Sequence, residues 1–223
     1  GVGIVRGGWP ERGYQTEANG GMTPLLFAAR DGYPEIVRVL LDAKANIDQT
    51  DVNGISPLIS AISNHHLPTA ELLLQRGADF KHADLWGRSP LWSAVEIRNR
   101  DMGRSGERID RIGAMTLIQH LVEKGADVNV RTKEVPPVRR FVTTLGDLSW
   151  VDFTGQTPFL KAALSGDVTV MKYLLEHGAN PNIPTNSNTT ALMAAAGVNW
   201  VVAQTFTEGK DRLLEAVKMC LEL

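Results

Sequence analysis

The sequence predicts an all-α solenoid built from stacked antiparallel helix pairs. A helix start of Ser or Thr followed by Pro recurs at Thr23, Ser56 and Ser89, with 33 residues from one copy to the next. A closing Gly-Ala-Asp/Asn motif follows leucine-rich segments at residues 77–79, 125–127 and 178–180. The short amphipathic helices between these signals cannot bury their apolar faces alone, so successive copies must stack.

The unit that repeats is clearest at residues 21–48. Thr23 is placed to cap a helix with its side-chain oxygen, and Pro24 suits the first helical position, where no N–H is needed. Gly32 breaks this helix after about two turns. A second helix resumes near Glu35 with apolar residues on one face and charged residues opposite, which predicts one helix pair per repeat.

On these motifs the chain resembles the ankyrin repeat family, because a 33-residue period with a Thr-Pro-Leu start is typical of that family. The resemblance covers residues 21–223. It implies an all-α ankyrin solenoid with β-hairpin finger loops, acting as a protein-protein interaction scaffold through its concave face and finger tips. It also implies no catalysis of its own and no cofactor or metal. The insertions and segment 192–200 look similar to bacterial ankyrin arrays.

Five repeats are predicted, and two of them carry insertions. Ser89 and Thr157 are 68 residues apart but enclose only one helix pair, so the third repeat has insertions at about 98–113 and 130–151. The fifth repeat has a similar insertion and stops before its closing motif, so we expect further repeats at both ends. The predicted segments are 1–17 (a finger), 18–50, 51–83, 84–151, 152–184 and 185–223.

Two features of the repeats lead to local expectations. Lys44 stands where the other repeats have glycine after the outer helix, a position that is usually left-handed and therefore strained for a residue with a Cβ. Small residues at recurring positions should allow close helix contacts. These are Ala28, Ala29, Ala61, Ala94, Ala162, Ala163 and Ala195.

Composition narrows the classes of function. The chain is 43% hydrophobic with a net charge of -2, which gives no general attraction to nucleic acid or to a membrane surface. Its one cysteine cannot form an internal disulfide. No apolar run reaches the ~20 residues of a membrane helix. We expect a monomer with a protein partner, with a cytoplasmic location favoured and export left open.

Catalytic and metal-binding patterns are weak. The five histidines lack ligand spacing, and the neighbours His65 and His66 point in different directions. Ser105 lacks the complete Gly-x-Ser-x-Gly turn of a serine nucleophile. These residues are interpreted as turn and surface positions, so we expect no enzyme activity.

The candidate binding residues lie at the predicted finger tips, where large apolar side chains occur in place of the expected polar ones. Trp is a frequent anchor of protein interfaces, which favours a binding patch beside the basic insertions and an acidic or mixed protein partner. The alternative is that these apolar residues only cover the neighbouring insertions. The candidates are Asn53, Leu85, Trp86, Arg88, Trp150, Phe153, Thr154 and Gln156.

Two rival functions remain beside the scaffold. The chain could be a regulatory or targeting segment of a larger enzyme or effector, which the full reading frame would reveal. It could also bind RNA or nucleotides through the Arg-rich insertions, which would require strongly salt-dependent binding.

Overall fold

A computed structural model describes residues 20–99, 109–133, 154–198 and 209–223. Within these ranges the chain forms ten α-helices joined by turns. They are α1 (Pro24–Arg30), α2 (Pro34–Asp42), α3 (Pro57–Ser63), α4 (Leu67–Gln75), α5 (Pro90–Arg98), α6 (Arg111–Glu123), α7 (Pro158–Ser165), α8 (Val168–Glu176), α9 (Ala191–Ala195) and α10 (Lys210–Glu222).

The helices stack in two layers. The odd-numbered inner helices pack in series from α1 to α9, each on the next, while the outer helices make the contacts α2–α4, α4–α6 and α8–α10. Each inner helix also packs on the outer helix that follows it. This arrangement confirms the predicted all-α solenoid.

Every inner helix begins in the same way. Its N-cap residue is a Ser or Thr in extended conformation, and the cap hydroxyl accepts the N–H three residues later at 3.1–3.3 Å. Proline follows the cap in all of them except α9, which starts with Ala191. The caps predicted from the repeat spacing are confirmed. They are Thr23, Ser56, Ser89, Thr157 and Thr190.

One apolar core runs along the stack from Leu25 in α1 to Ala216 in α10. All seven alanines predicted at close contacts are buried, with at most 3% of their surface exposed. Small side chains at these positions let neighbouring helices approach closely, which keeps the packing dense.

The backbone after each outer helix is left-handed. Gly77 and Gly125 both have φ of 91°, and Lys44 adopts φ of 68° at the equivalent position. The left-handed conformation predicted for Lys44 is therefore confirmed. His65 also has a positive φ of 65°, in the turn where the first repeat has Gly32.

Three details differ from the sequence prediction. Helix α6 begins at Arg111 and not near Thr116, because Asp110 caps it through a bond from the N–H of Gly113 to Oδ1 at 2.8 Å. Both ends of the first predicted insertion are consequently helical. The β-hairpin form of the fingers is not confirmed, since the described fingers are turns without strands. The β-prone run at 141–145 lies outside the described residues.

Candidate protein-binding surface

The fingers between the helix pairs are tight turns built around an acidic residue. In the second finger, Oδ1 of Asp51 accepts the N–H groups of Asn53 and Ile55 at 2.9 and 2.8 Å. In the third, Oδ1 of Asp84 accepts the N–H of Arg88 at 2.9 Å and that of Trp86 at 3.1 Å. These side-chain bonds satisfy the turn backbone and hold each tip in one shape.

Backbone hydrogen bonds join successive tips into one row. The N–H of Leu85 donates to the carbonyl of Asn53 at 3.1 Å, and that of Lys133 donates to the carbonyl of Trp86 at 2.7 Å. The row continues from Gly155 to Thr132 at 2.8 Å, and then from the N–H of Asn186 to Thr154 at 3.0 Å. We call these linked turns the finger row.

Apolar side chains are exposed at two neighbouring tips of the finger row. Leu85 is 60% exposed, and Val52 in the adjacent finger is 48% exposed. Because the bond from Leu85 to Asn53 links their two turns, these side chains belong to one region of the surface.

The other predicted site residues are less accessible. Asn53 and Gln156 are buried, whereas Thr154 and Arg88 are half-buried. Trp150 and Phe153 lie outside the described residues. The finger row thus brings five of the eight candidates, Asn53, Leu85, Trp86, Arg88 and Thr154, into turns linked by the bonds above, and Gln156 joins them through its carbonyl, which accepts the N–H of Thr132 at 3.1 Å.

Trp86 does not stand in solvent as the sequence suggested, since it is only 7% exposed. The Arg88 guanidinium lies 4.9 Å from its ring centroid. At Gly87, where φ is 78°, a Cβ would lie 2.7 Å from the Lys133 backbone nitrogen, so the finger packs tightly on the start of the second insertion. This contact accounts for the burial: the indole covers its neighbours, as the alternative interpretation held.

Electrostatics stiffen the same finger. The Asp84 side chain is fully buried, and Arg88 Nε donates to its Oδ2 at 2.7 Å. Burial raises the pKa of the Asp84 carboxyl, while the charge of Arg88 and the N–H donors of Arg88 and Trp86 oppose that rise. Arg88 is thus engaged within the finger by Asp84 and by the Trp86 ring.

The concave side differs along the stack. In α1, Phe27 is 45% exposed and Arg30 lies over its ring at 4.7 Å. The residues that close the inner helices of the third and fourth repeats are fully buried, as Asn99 and Ser165 show. The expected open concave groove is therefore absent at those two repeats.

The comparison with known families agrees with this geometry. A family model described as ankyrin repeats in three copies matches residues 10–84 and 111–204, which is more than half of the chain. The chain belongs to the ankyrin repeat family. Ankyrin repeats are generally protein-protein interaction modules, and the family is typically non-catalytic. A search of curated proteins gave no match.

The third and fourth ankyrin repeats are tied together by a buried charge cluster. Arg98 at the end of α5 donates from Nε to Oδ2 of Asp167 at 2.8 Å, and Nη2 of Arg111 lies 3.5 Å from the same oxygen. The two arginines also bond to each other's carbonyls. Asp167 caps α8 as well, accepting the N–H of Val170 at 3.3 Å. Two arginines of the first insertion thus have structural partners.

Sequence reasoning missed this cluster. Arg98 and Arg111 were counted only as part of a basic insertion, and Asp167 was not singled out. The one available signal was a charged pair at the boundary of an otherwise apolar helix, Arg98 and Asn99, where other repeats carry small or turn residues.

Metal-binding and membrane-spanning features were also searched in the described ranges. There, no group of three or more His, Cys, Asp or Glu side chains is placed to hold a metal ion. No helix in those ranges is long and apolar enough to cross a membrane. His120 pairs with Glu71 at 3.0 Å, and His82 bonds to the carbonyl of Gly54 at 2.7 Å.

Proposed function

We propose that this ankyrin array is a protein-binding module without catalysis of its own, and that it contacts its partner through the finger row. The observation that carries the proposal is the pair of exposed apolar side chains, Val52 and Leu85, on adjacent tips held by backbone hydrogen bonds. A rigid turn that already exposes its apolar contact loses little conformational entropy on binding.

The choice of the finger row over the concave face follows from accessibility. Inner-helix residues at Ser93, Asn99 and Ser165 are fully buried, so they offer a partner no surface. Leu85 is exposed on a turn whose neighbours Asp84 and Trp86 are buried and fixed. An exposed apolar side chain on a rigid buried base is typical of a binding anchor.

The partner that fits best is a protein with an apolar contact and acidic neighbours. Arg131 and Lys133 are exposed on the third and fourth fingers' side of the row and lie beside this apolar pair through the Lys133 to Trp86 bond. Complementary charge there would speed the encounter, while the apolar tips would supply affinity. Trp150 and Phe153 remain candidate contributors.

The test is capture of partners from an extract of the native host, compared between matched variants by quantitative mass spectrometry. Val52→Ala with Leu85→Ala should reduce retention of a specific partner by at least ~10-fold, because apolar anchors carry much of the binding energy. Ile112→Ala is the matched control, since Ile112 is 83% exposed but lies on α6. Phe27→Ala tests the open end of the concave face.

The outcomes separate the alternatives. Undiminished capture by the finger variant, with capture lost in Phe27→Ala, would contradict the finger row and favour the concave face. Equal loss in the Ile112→Ala control would mean that retention is non-specific.

A further inference from the structure

The two ends of the described stack expose apolar side chains on their outer helices. In α2, Ile36 is 49% and Val39 is 68% exposed. In α10, Leu214 is 53% and Leu221 is 67% exposed. Surface-exposed apolar residues in pairs on one helix face mark a surface that another element can cover.

The repeat register identifies the face of α2 on which Ile36 and Val39 lie. One period later the equivalent positions are Thr69 and Leu72 in α4, and both are buried where α4 packs on α2. Ile36 and Val39 therefore occupy the surface that each repeat turns toward the repeat before it. We call this surface the leading face.

The opposite surface is exposed at the other end. In the register that aligns Glu215 with Glu35, Leu214 and Leu221 are equivalent to Leu67 and Leu74 of α4, both of them buried. Leu67 lies against α6, because a Cβ added at Gly113 would be 2.9 Å from its Cδ1. Leu214 and Leu221 thus occupy the surface that each repeat turns toward the next one. We call this the trailing face.

Charge distinguishes a specific occupant for these faces. Within the stack, Lys172 on α8 pairs with Glu215 on α10 at 3.0 Å. The equivalent positions at the two ends are Lys218 on the trailing face and Glu35 on the leading face. Both are exposed, and the only ion pair given for either in the described ranges is the one between Glu35 and Arg38 on its own helix, at 3.5 Å.

We propose that copies of this chain associate head to tail, with the trailing face of one copy packed on the leading face of the next. Leu214 and Leu221 of one copy cover Ile36 and Val39 of its partner, and Lys218 meets the partner's Glu35 as Lys172 meets Glu215. This assembly replaces the monomer expected from the sequence, and it does not depend on the finger row.

The geometry makes the association open-ended. The two contacting surfaces are different, so every bound copy still offers one free leading face and one free trailing face. One repeat junction is a small interface, so the association should be weak and dependent on concentration.

Complementary variants of the full chain test this directly. A leading-face variant carries Ile36→Glu and Val39→Glu, and a trailing-face variant carries Leu214→Glu and Leu221→Glu. All four side chains are exposed, and circular dichroism with thermal unfolding checks that each variant is folded. Sedimentation velocity then measures the mass of each protein over a wide range of concentration.

The expected pattern is specific to a head-to-tail contact. The unaltered chain should form species that grow with concentration, and each variant alone should be monomeric. An equimolar mixture of the two variants should form dimers and nothing larger, because only one matched pair of faces remains. A monomeric unaltered chain, a variant that self-associates, or a mixture that stays monomeric would overturn the proposal.

A charge exchange tests the register. Lys218→Glu or Glu35→Lys alone should weaken association by about 2- to 5-fold, and the chain carrying both changes should recover it. Lys81→Glu is the control, since Lys81 is exposed but lies in the third finger's approach. If the double variant stays as weak as the single ones, the pairing of Lys218 with Glu35 is wrong and with it the proposed register.

Discussion

Arg98 and Asp167 form a buried ion pair across the junction of the third and fourth repeats, with Nε and Oδ2 2.8 Å apart. The Asp167 side chain is fully buried, and it also caps α8. One carboxylate therefore holds the end of an inner helix, the start of an outer helix and, through Arg111, the start of α6.

Breaking this pair should destabilise the chain strongly. Arg98→Met leaves Asp167 buried with only Arg111 as its described ionic partner, and loss of one member of a buried pair typically costs about 3–5 kcal/mol. Urea denaturation followed by circular dichroism measures the loss in the free energy of unfolding. Arg76→Met is the control, because its ion pair with Asp42 is exposed and should contribute at most about 1 kcal/mol. Similar small effects for both variants would contradict a structural role for the pair.

Replacing Lys44 with glycine should stabilise the chain. Lys44 has φ of 68°, which costs a residue with a Cβ about 1–2 kcal/mol, and the added freedom of glycine in the unfolded chain offsets part of the gain. We expect a net gain of about 0.5–1 kcal/mol in unfolding free energy, measured by urea denaturation.

The reciprocal change provides the control for this prediction. Gly77 has φ of 91° at the equivalent position, and a Cβ there would meet no atom within 4 Å. Gly77→Ala should therefore lose about 1 kcal/mol through backbone strain alone. If Lys44→Gly and Gly77→Ala change stability in the same direction, the strain argument fails.

The sequence predicted the fold well because its signals are local. Each cap, such as Thr23 or Ser56, acts on an N–H three residues away, and each recurs with the period of one repeat. The left-handed conformation of Lys44 was predictable for the same reason. Such features depend on a few neighbouring residues, so a single chain is enough to recognise them.

The binding surface was less predictable because it depends on contacts between distant segments. Leu85 and Trp86 are adjacent and both apolar, yet Leu85 is exposed and Trp86 is buried against residues near Lys133. The same holds for Arg98 and Asp167, which are brought together across an insertion. Hydrophobicity at a finger tip does not reveal which side chain the neighbouring finger covers.

Enlarging a buried alanine tests the packing between inner helices. Ala162 on α7 is fully buried in the common core, so Ala162→Leu should force neighbouring helices apart and cost roughly 1–3 kcal/mol. Thermal unfolding should show a lower midpoint. Ala43→Leu is the matched control, because Ala43 is exposed at the end of α2 and has room for the larger side chain. An unchanged midpoint for Ala162→Leu would contradict the assigned contact.

Titration of Asp84 should make the stability of the third finger depend on pH. Burial raises the pKa of its carboxyl in the folded state, against the opposing effect of Arg88, so the folded chain binds this proton more tightly than the unfolded chain. The contribution of Asp84 to the free energy of unfolding is then greatest below the pKa of the unfolded chain, and it is lost as pH rises through the folded pKa. Asp84→Asn removes the titration and keeps an oxygen that accepts the N–H groups of Trp86 and Arg88.

Urea denaturation of both proteins at several pH values from about 3.5 to about 7 measures this effect. The unfolding free energy of the unaltered chain minus that of Asp84→Asn should fall as pH rises. In an Arg88→Ala background the fall should shift to higher pH, since Arg88 lowers the pKa of Asp84. A difference that rises with pH would mean that the charge of Arg88 outweighs burial, and that the ionised pair stabilises the finger.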